Sequence, residues 1–141
     1  MAFAEPAGAS AASVLPVTAA LPSSSEEAGV DCAPGAFCLL DGRFEITAVW
    51  TKADGETGPA SPFPGAGTTG YMSFFSPGNI ELAVKVLDGR THNDAFWVFA
   101  AGLTDVDYRL TVKDKAGDAA RTYTNPSRSF CGLADTSAFP E

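Results

Sequence analysis

The sequence has little basic charge and no long apolar run. Its 141 residues include 9 Lys and Arg against 17 Asp and Glu, which gives a formal net charge of −8. Such a surface repels phosphate backbones and anionic lipid, so nucleic acid is not an expected partner. Gly, Pro or charged residues interrupt every apolar stretch well short of the roughly 18–20 residues that cross a bilayer. We therefore expect no membrane insertion.

Imidazole is also scarce, because His92 is the only histidine. A Ser or Cys nucleophile needs a neighbouring base that a third group orients, and here that base would be His92 with Asp88 or Asp94. No serine lies in a Gly-x-Ser-x-Gly elbow. A histidine in a polar loop beside aspartates is usually solvated. We therefore predict a protein that is not an enzyme.

Only three cysteines are present, which leaves one without an intramolecular partner. Cys32 and Cys38 enclose a short, turn-prone stretch that a disulfide could close, and the alternative pairing joins Cys38 to Cys131. A zinc site would need a fourth ligand of suitable spacing, and reduced cytosolic thiols are the remaining alternative. The cysteines favour a secreted or extracellular protein, in the periplasm or at the cell surface if it is retained.

Residues 1–30 are rich in Ala, Ser and Pro and contain no Lys or Arg. This composition predicts a flexible arm or linker and leaves residues 31–141 as the folded domain. Within the arm, residues 13–18 (SVLPVT) could pair as a strand with a neighbouring molecule, because their β-branched residues permit it. The arm therefore offers a route to self-assembly.

After the second cysteine, short runs of alternating apolar and polar residues are separated by turn residues, as is typical of half-buried strands. We predict strands at residues 44–50, 71–75, 80–87, 95–101, 107–113 and 120–124. In the third of these, Ile80, Leu82, Val84 and Val86 should share one face. The fourth is apolar on both faces, which predicts a central strand or one with its outer face covered.

Two stretches lack this alternation. Residues 51–69 carry Pro59, Pro62 and Pro64, which remove backbone donors, so we expect a long surface loop there. The tail after Pro126 should lie across the fold. Six or seven short strands with no helical period predict an all-β, antiparallel, immunoglobulin-like β-sandwich, with a small β-barrel as the alternative.

A further set of residues forms one extended pattern. Its members are Cys38 and Leu39, Arg43 and Phe44, VKVLDG at 84–89, Asn93, FWVF at 96–99, Leu103 and Thr104, Tyr108, Val112, Asp114, Gly117, YTNP at 123–126 and DTSAF at 135–139. This pattern resembles a recurring, functionally unassigned β module of secreted bacterial proteins, often attached to extracellular hydrolases and surface proteins. The resemblance implies a location and a fold, and it assigns no catalytic residue.

Loop carboxylates and amides suggest a calcium site, because hard oxygen ligands suit this ion and extracellular modules often bind it weakly. The candidate ligands are Asp88, Asn93, Asp94, Asp105 and Asp107. Their spacing is not that of an EF-hand, and turns use Asp and Asn for their own geometry. We therefore expect no cofactor, with calcium as the alternative.

The aromatic residues permit a carbohydrate platform built from Trp50, Tyr71, Phe74 or Trp97. Large aromatic side chains more often build the core of a small sandwich, so burial of both tryptophans would exclude this role. The wider candidate binding surface is Trp50, Pro62, Phe63, Tyr71 and Trp97, with contributions from residues 51–69, 90–94 and 96–101.

These observations predict a non-catalytic extracellular binding or assembly module, whose ligand is a protein or a carbohydrate. One alternative is a fibre or oligomer subunit that uses its N-terminal arm for strand addition. The other is a small protease inhibitor or prodomain that places the Pro-rich stretch in a protease cleft.

Overall fold

The alternating runs form strands, and the strands form two antiparallel sheets packed face to face. The computed structural model describes residues 32–126 and 132–141, apart from the side chains of residues 64–66. The predicted arm (1–30) and Cys131 lie outside these residues. The described strands are β1 (Phe37–Leu39), β2 (Phe44–Thr51), β3 (Thr57–Pro59), β4 (Ser61–Ala66), β5 (Thr69–Ser73), β6 (Ile80–Asp88), β7 (Ala95–Gly102), β8 (Asp107–Asp114), β9 (Ala119–Asn125) and β10 (Gly132–Pro140). One helical turn, α1 (Arg90–Asn93), connects β6 to β7.

Sheet 1 has the order β1, β2, β8, β9, and β3 also pairs with β2. Sheet 2 has the order β10, β7, β6, β5, β4. All the pairings are antiparallel. The predicted β-sandwich is therefore confirmed.

The core lies between the sheets because alternate residues of each strand point inward. Phe44 of β2 is fully buried, and its ring centroid lies 4.9 Å from that of Phe96 and 5.2 Å from that of Phe139. The other fully buried large side chains are Leu39, Ile46, Met72, Leu82, Leu110, Val84, Val86, Val98 and Val112. Strand alternation thus predicted the inward face of most strands.

The expectation of a long loop over residues 51–69 was wrong. β3 pairs with β2 in sheet 1, and β4 pairs with β5 in sheet 2, so the chain crosses between the sheets at the buried Ala60. Prolines are tolerated here because β4 is an edge strand whose outer side needs no backbone donors.

The tail was also more regular than expected, because it forms β10 at the edge of sheet 2. Gly132–Asp135 and Phe139–Pro140 pair with β7, with a bulge between them. Phe139 is buried, whereas Ile80, which was expected to face the core, is exposed. The register shift between β5 and β6 beside Ile80 turns that residue outward and buries Glu81 instead.

Arg43 joins the two sheets at one end of the sandwich. Its Nε and Nη2 donate to the Asp114 carboxylate at 2.8 and 2.9 Å, and Nη2 also donates to Glu141, just beyond β10. Its guanidinium lies 4.3 Å from the Phe96 ring centroid. The Arg43 hydrogen bond is the main cause that lowers the pKa of Asp114.

Side chains link β9, an edge strand of sheet 1, to β10, an edge strand of sheet 2. Tyr123 of β9 donates its hydroxyl to Asp135 of β10 at 2.8 Å. Burial, reinforced by this hydrogen bond, raises the pKa of Tyr123. Arg121 lies 5.2 Å from the Phe139 ring centroid, so β10 is held by several separate contacts.

Cys32 and Cys38 form a disulfide, with Cα atoms 5.9 Å apart. It ties the first described residue to β1, whose other residues Phe37 and Leu39 are buried. The Ala33 amide also donates to Glu45 of β2 at 2.9 Å. The pairing of Cys32 with Cys38 is thus the one adopted of the two considered.

Candidate binding surface on the outer face of sheet 2

The outer face of sheet 2 carries most of the half-exposed aromatic side chains. Residues directly opposite each other in paired strands share a face, and the intervening residues Val84, Val86, Val98 and Ala100 are buried. Three rows therefore lie on the outside. The first is Phe63, Tyr71, Ala83, Ala101 and Gly132; the second is Thr69, Lys85, Phe99 and Ala134; the third is Leu87 and Trp97.

A groove runs through the first two rows because small side chains lie between large ones. Ala83 and Ala101 are cross-strand partners and form its floor, while Tyr71 and Phe99 rise on either side. Its volume is about 320 Å³. Tyr71 is 40% exposed, so the groove is open to solvent along an aromatic wall.

Lys85 is the only charged residue in the three rows. Its Nζ lies 5.2 Å from the Phe99 ring centroid, close enough for a cation–π interaction. Among the described residues, no carboxylate lies within ion-pair distance of Lys85. The groove therefore combines apolar walls with one cation, Lys85. In the described part of the chain, no carboxylate pairs with it.

Trp97 closes the face near α1, where its indole is held by polar contacts. Its Nε1 donates to Asn93 Oδ1 at 2.8 Å, and Asn93 Nδ2 donates to the carbonyl of Thr136 in β10 at 2.7 Å. The position of Gly89 admits no side chain, because a Cβ there would overlap the indole of Trp97. Trp97 is half-buried as a result.

Two of the predicted platform aromatics are not available to a ligand. Trp50 is 8% exposed and donates its Nε1 to the carbonyl of Pro59, and Phe74 is also buried. Both pack in the core, so their place in the proposed platform was wrong. Pro62 pairs with Met72 and so lies on the opposite face of β4 from Phe63, away from the groove.

The five candidate calcium ligands do not form one set. Asp88 and Asp94 flank α1, which ends at Asn93. Asp105 and Asp107 lie beyond the far end of β7, which at 3.3 Å per residue is about 25 Å long. The residues described contain no group of three His, Cys, Asp or Glu side chains that could hold a metal ion. Asp88 is bound by Arg90, whose side-chain hydrogen bonds lower the pKa of Asp88 to about 2.

A second, polar pocket of about 250 Å³ lies on the outer face of sheet 1, where β2, β8 and β9 meet. The residues that line it include Asp107, Arg109, Thr51, Thr124 and Pro126. Asp107 Oδ1 is the one buried side-chain polar atom without a hydrogen-bond partner among the described residues.

His92 lies against the Trp97 indole, with ring centroids 5.4 Å apart. Asp88, one of the two groups that could have oriented the imidazole, is instead paired with Arg90. Asp94, the other, adopts a left-handed conformation at the end of α1. Among the described residues, neither aspartate forms a hydrogen bond to the His92 side chain.

The groove residues Ala83, Lys85, Phe99 and Ala101 were not picked out individually in the sequence. For Phe99 and Ala101 the signal was the apolar character of both faces of residues 95–101, which predicts a central strand or one with its outer face covered. Ala83 and Lys85 lie in the neighbouring strand β6, outside that stretch. In the structure β7 is indeed internal to its sheet, but the described residues leave its outer face open.

No protein-family model, curated protein or solved structure matches this chain. The fold defines it as a two-sheet antiparallel β-sandwich domain. Within the described residues, no helix has the length and apolar character needed to span a membrane.

Proposed function

We propose that this chain is a non-catalytic, extracellular binding module of a secreted bacterial protein, and that it binds a protein partner through the outer face of sheet 2. The observation that carries the proposal is the open apolar groove between Tyr71 and Phe99. Exposed apolar surface costs free energy in water, and a bordered groove of this kind is typical of interaction sites.

A protein partner fits the groove better than a sugar does. The floor consists of alanine methyl groups, and the polar groups among the lining side chains come from Thr69, Tyr71 and Lys85. Sugar recognition needs several converging hydrogen-bonding groups beside a stacking ring, whereas an aliphatic or aromatic side chain needs apolar walls. The loss of Trp50 and Phe74 to the core weakens the carbohydrate interpretation further.

Two features support an extracellular location. The Cys32–Cys38 disulfide is of a kind that persists mainly in oxidising compartments. The sequence pattern that resembles a module of secreted bacterial proteins supplies the second. Several of its residues, including Arg43, Asn93 and Phe139, make contacts that hold β10 to the sandwich.

The protease-inhibitor alternative loses the observation that favoured it. An exposed loop over residues 51–69 would be needed to occupy a protease cleft. These residues instead include β3 and β4, which are paired within the two sheets.

Binding can be tested by peptide selection on the full chain, with glycan arrays run in parallel. Peptides selected from a displayed random library should bind the Tyr71→Ser variant at least about tenfold more weakly, since a central aromatic anchor contributes at least about 1.4 kcal/mol. Val49→Ser is the matched control, because Val49 is 39% exposed on the outer face of sheet 1. Equal binding to wild type and Tyr71→Ser, or selective binding of glycans alone, would contradict the proposal.

A second candidate function is assembly by strand addition, and the edge of β9 favours it. β9 is an edge strand of seven residues with neither Pro nor Gly, and none of the described strands pairs with its outer side. Arg121 is its only charged residue, so the edge has little of the protection that normally prevents pairing with another chain. Residues 13–18 of a neighbouring copy are the proposed added strand.

Deletion of residues 1–30 tests this second function. If the arm adds to β9, the full chain should sediment as dimers or larger species, and the deletion should leave a monomer. Thr122→Pro in β9 should have the same effect, since proline removes a backbone donor from that strand. A full chain that sediments as a monomer at high concentration would rule the arm out.

A further inference from the structure

The charge in the groove defines the chemistry of its ligand more narrowly. Resting on the proposed function, we infer that the groove selects an extended peptide segment in which a carboxylate and an apolar side chain, two residues apart, project to the same side. The apolar side chain would lie on Ala83 and Ala101, and the carboxylate would pair with Lys85.

Geometry places the two subsites side by side. Ala83 and Lys85 are alternate residues of β6 and so lie on the same face, about 6.6–7 Å apart along the strand. Neighbouring side chains of an extended peptide have a similar spacing when they project to one side. A peptide lying along β6 could therefore fill the floor with one residue and reach Lys85 with the next one on that side.

The charges around the groove favour a ligand with a single carboxylate over a ligand that carries many negative charges. Lys85 has no carboxylate partner among the described residues, and the three outer rows hold no other charge. The chain as a whole has a net charge of −8, which repels a ligand that carries many negative charges. A segment with one carboxylate and otherwise apolar groups can pair with Lys85. It adds no further negative charge for the acidic protein to repel.

Lys85 is also already oriented for this role. Its ammonium lies near the Phe99 ring, so the aliphatic stem covers part of the apolar wall while the charge stays at the solvent side. Pairing there therefore adds an ion pair at the rim, where about a two- to fivefold effect on affinity is expected.

Three pentapeptides with blocked ends test the inference: Leu-Ala-Glu-Ala-Phe, whose apolar residues lie two positions from Glu and so project to the same side of an extended chain, and its versions with Gln or Lys at the centre. Each is titrated into the full ¹⁵N-labelled chain, and shifts of the amides of Tyr71, Lys85 and Phe99 report binding in the groove. The Glu peptide should bind about two- to fivefold more tightly than the Gln peptide, and the Lys peptide should bind most weakly.

Lys85→Glu should reverse this order, whereas Lys113→Glu should leave it unchanged. Lys113 lies on the outer face of sheet 1. Lys113→Glu changes the net charge by the same amount as Lys85→Glu, so comparing the two variants separates the effect of pairing at Lys85 from the effect of overall charge. Equal affinities of the Glu and Gln peptides at the groove would overturn the inference and leave the proposed function standing. If no peptide, including those from library selection, shifted these amides, both would fail.

Discussion

Replacing Arg43 by Met is expected to lower the free energy of unfolding by about 3 kcal/mol, because it leaves the Asp114 carboxylate buried without its counterion. The Asp114 side chain is 7% exposed, and Arg43 supplies two hydrogen bonds to it as well as the bond to Glu141. Urea denaturation of both proteins at pH 7 measures the difference.

The matched control is Arg90→Met. Arg90 also pairs with an aspartate and also lies over the Phe96 ring, at 4.6 Å, but its partner Asp88 is 45% exposed. Exposed ion pairs contribute little to stability, so the urea midpoint should hardly move. Comparable losses in the two variants would show that burial of Asp114 is not what makes the Arg43 contact strong.

The same pair sets a pH dependence whose sign follows from Asp114. Its pKa is lowered in the folded state, so the pair contributes fully above the ordinary Asp pKa of about 4 and loses its contribution as the pH falls through the lowered value. As the pH falls below about 4, the wild type should therefore lose stability more steeply than Arg43→Met. Parallel curves would contradict this assignment.

Phe139→Ala is expected to cost about 3–5 kcal/mol, since it removes a buried ring that packs on Phe44 and leaves a cavity in the core. Thermal unfolding should shift by more than about 10 °C. The result would show that β10 belongs to the cooperative core and is not an appended tail.

Phe75→Ala provides the comparison, because Phe75 is 47% exposed although its ring also contacts another aromatic, Trp50, at 4.8 Å. Its loss should be much smaller, as little apolar surface leaves the interior. If Phe139→Ala were no more destabilising than Phe75→Ala, the packing of β10 described here would be wrong.

Strand alternation predicted the sandwich because most strands bury one face, and a period of two shows this directly. It gave correct positions for β2, β6, β7, β8 and β9. It failed for β4, where prolines normally argue against a strand, because an edge strand uses the donors of only one side. It failed for β10, since a bulge and the contacts of Phe139 with sheet 1 decide its path.

The candidate site was less predictable than the fold. Tyr71 and Phe63 could be named as exposed aromatics, but the groove depends on Ala83 lying opposite Ala101, which only the register of β6 against β7 determines. Trp50 could not be separated from surface aromatics by sequence alone. It is buried because its indole packs over Gly58 of the paired strand β3 and donates to the Pro59 carbonyl. That strand was itself hidden in the proline-rich stretch.

The groove is built on strands that have hydrogen-bonded neighbours on both sides, and this determines what binding would cost. β6 and β7 are internal to sheet 2, so their backbones are already ordered before a ligand arrives. Only exposed side chains such as Lys85 and Tyr71 would lose rotamer freedom on this side, at about 0.5–1.5 kcal/mol each. Most of the entropy lost on association would therefore be the partner's, so a partner segment already extended in its free state would bind more tightly than a flexible one with the same residues.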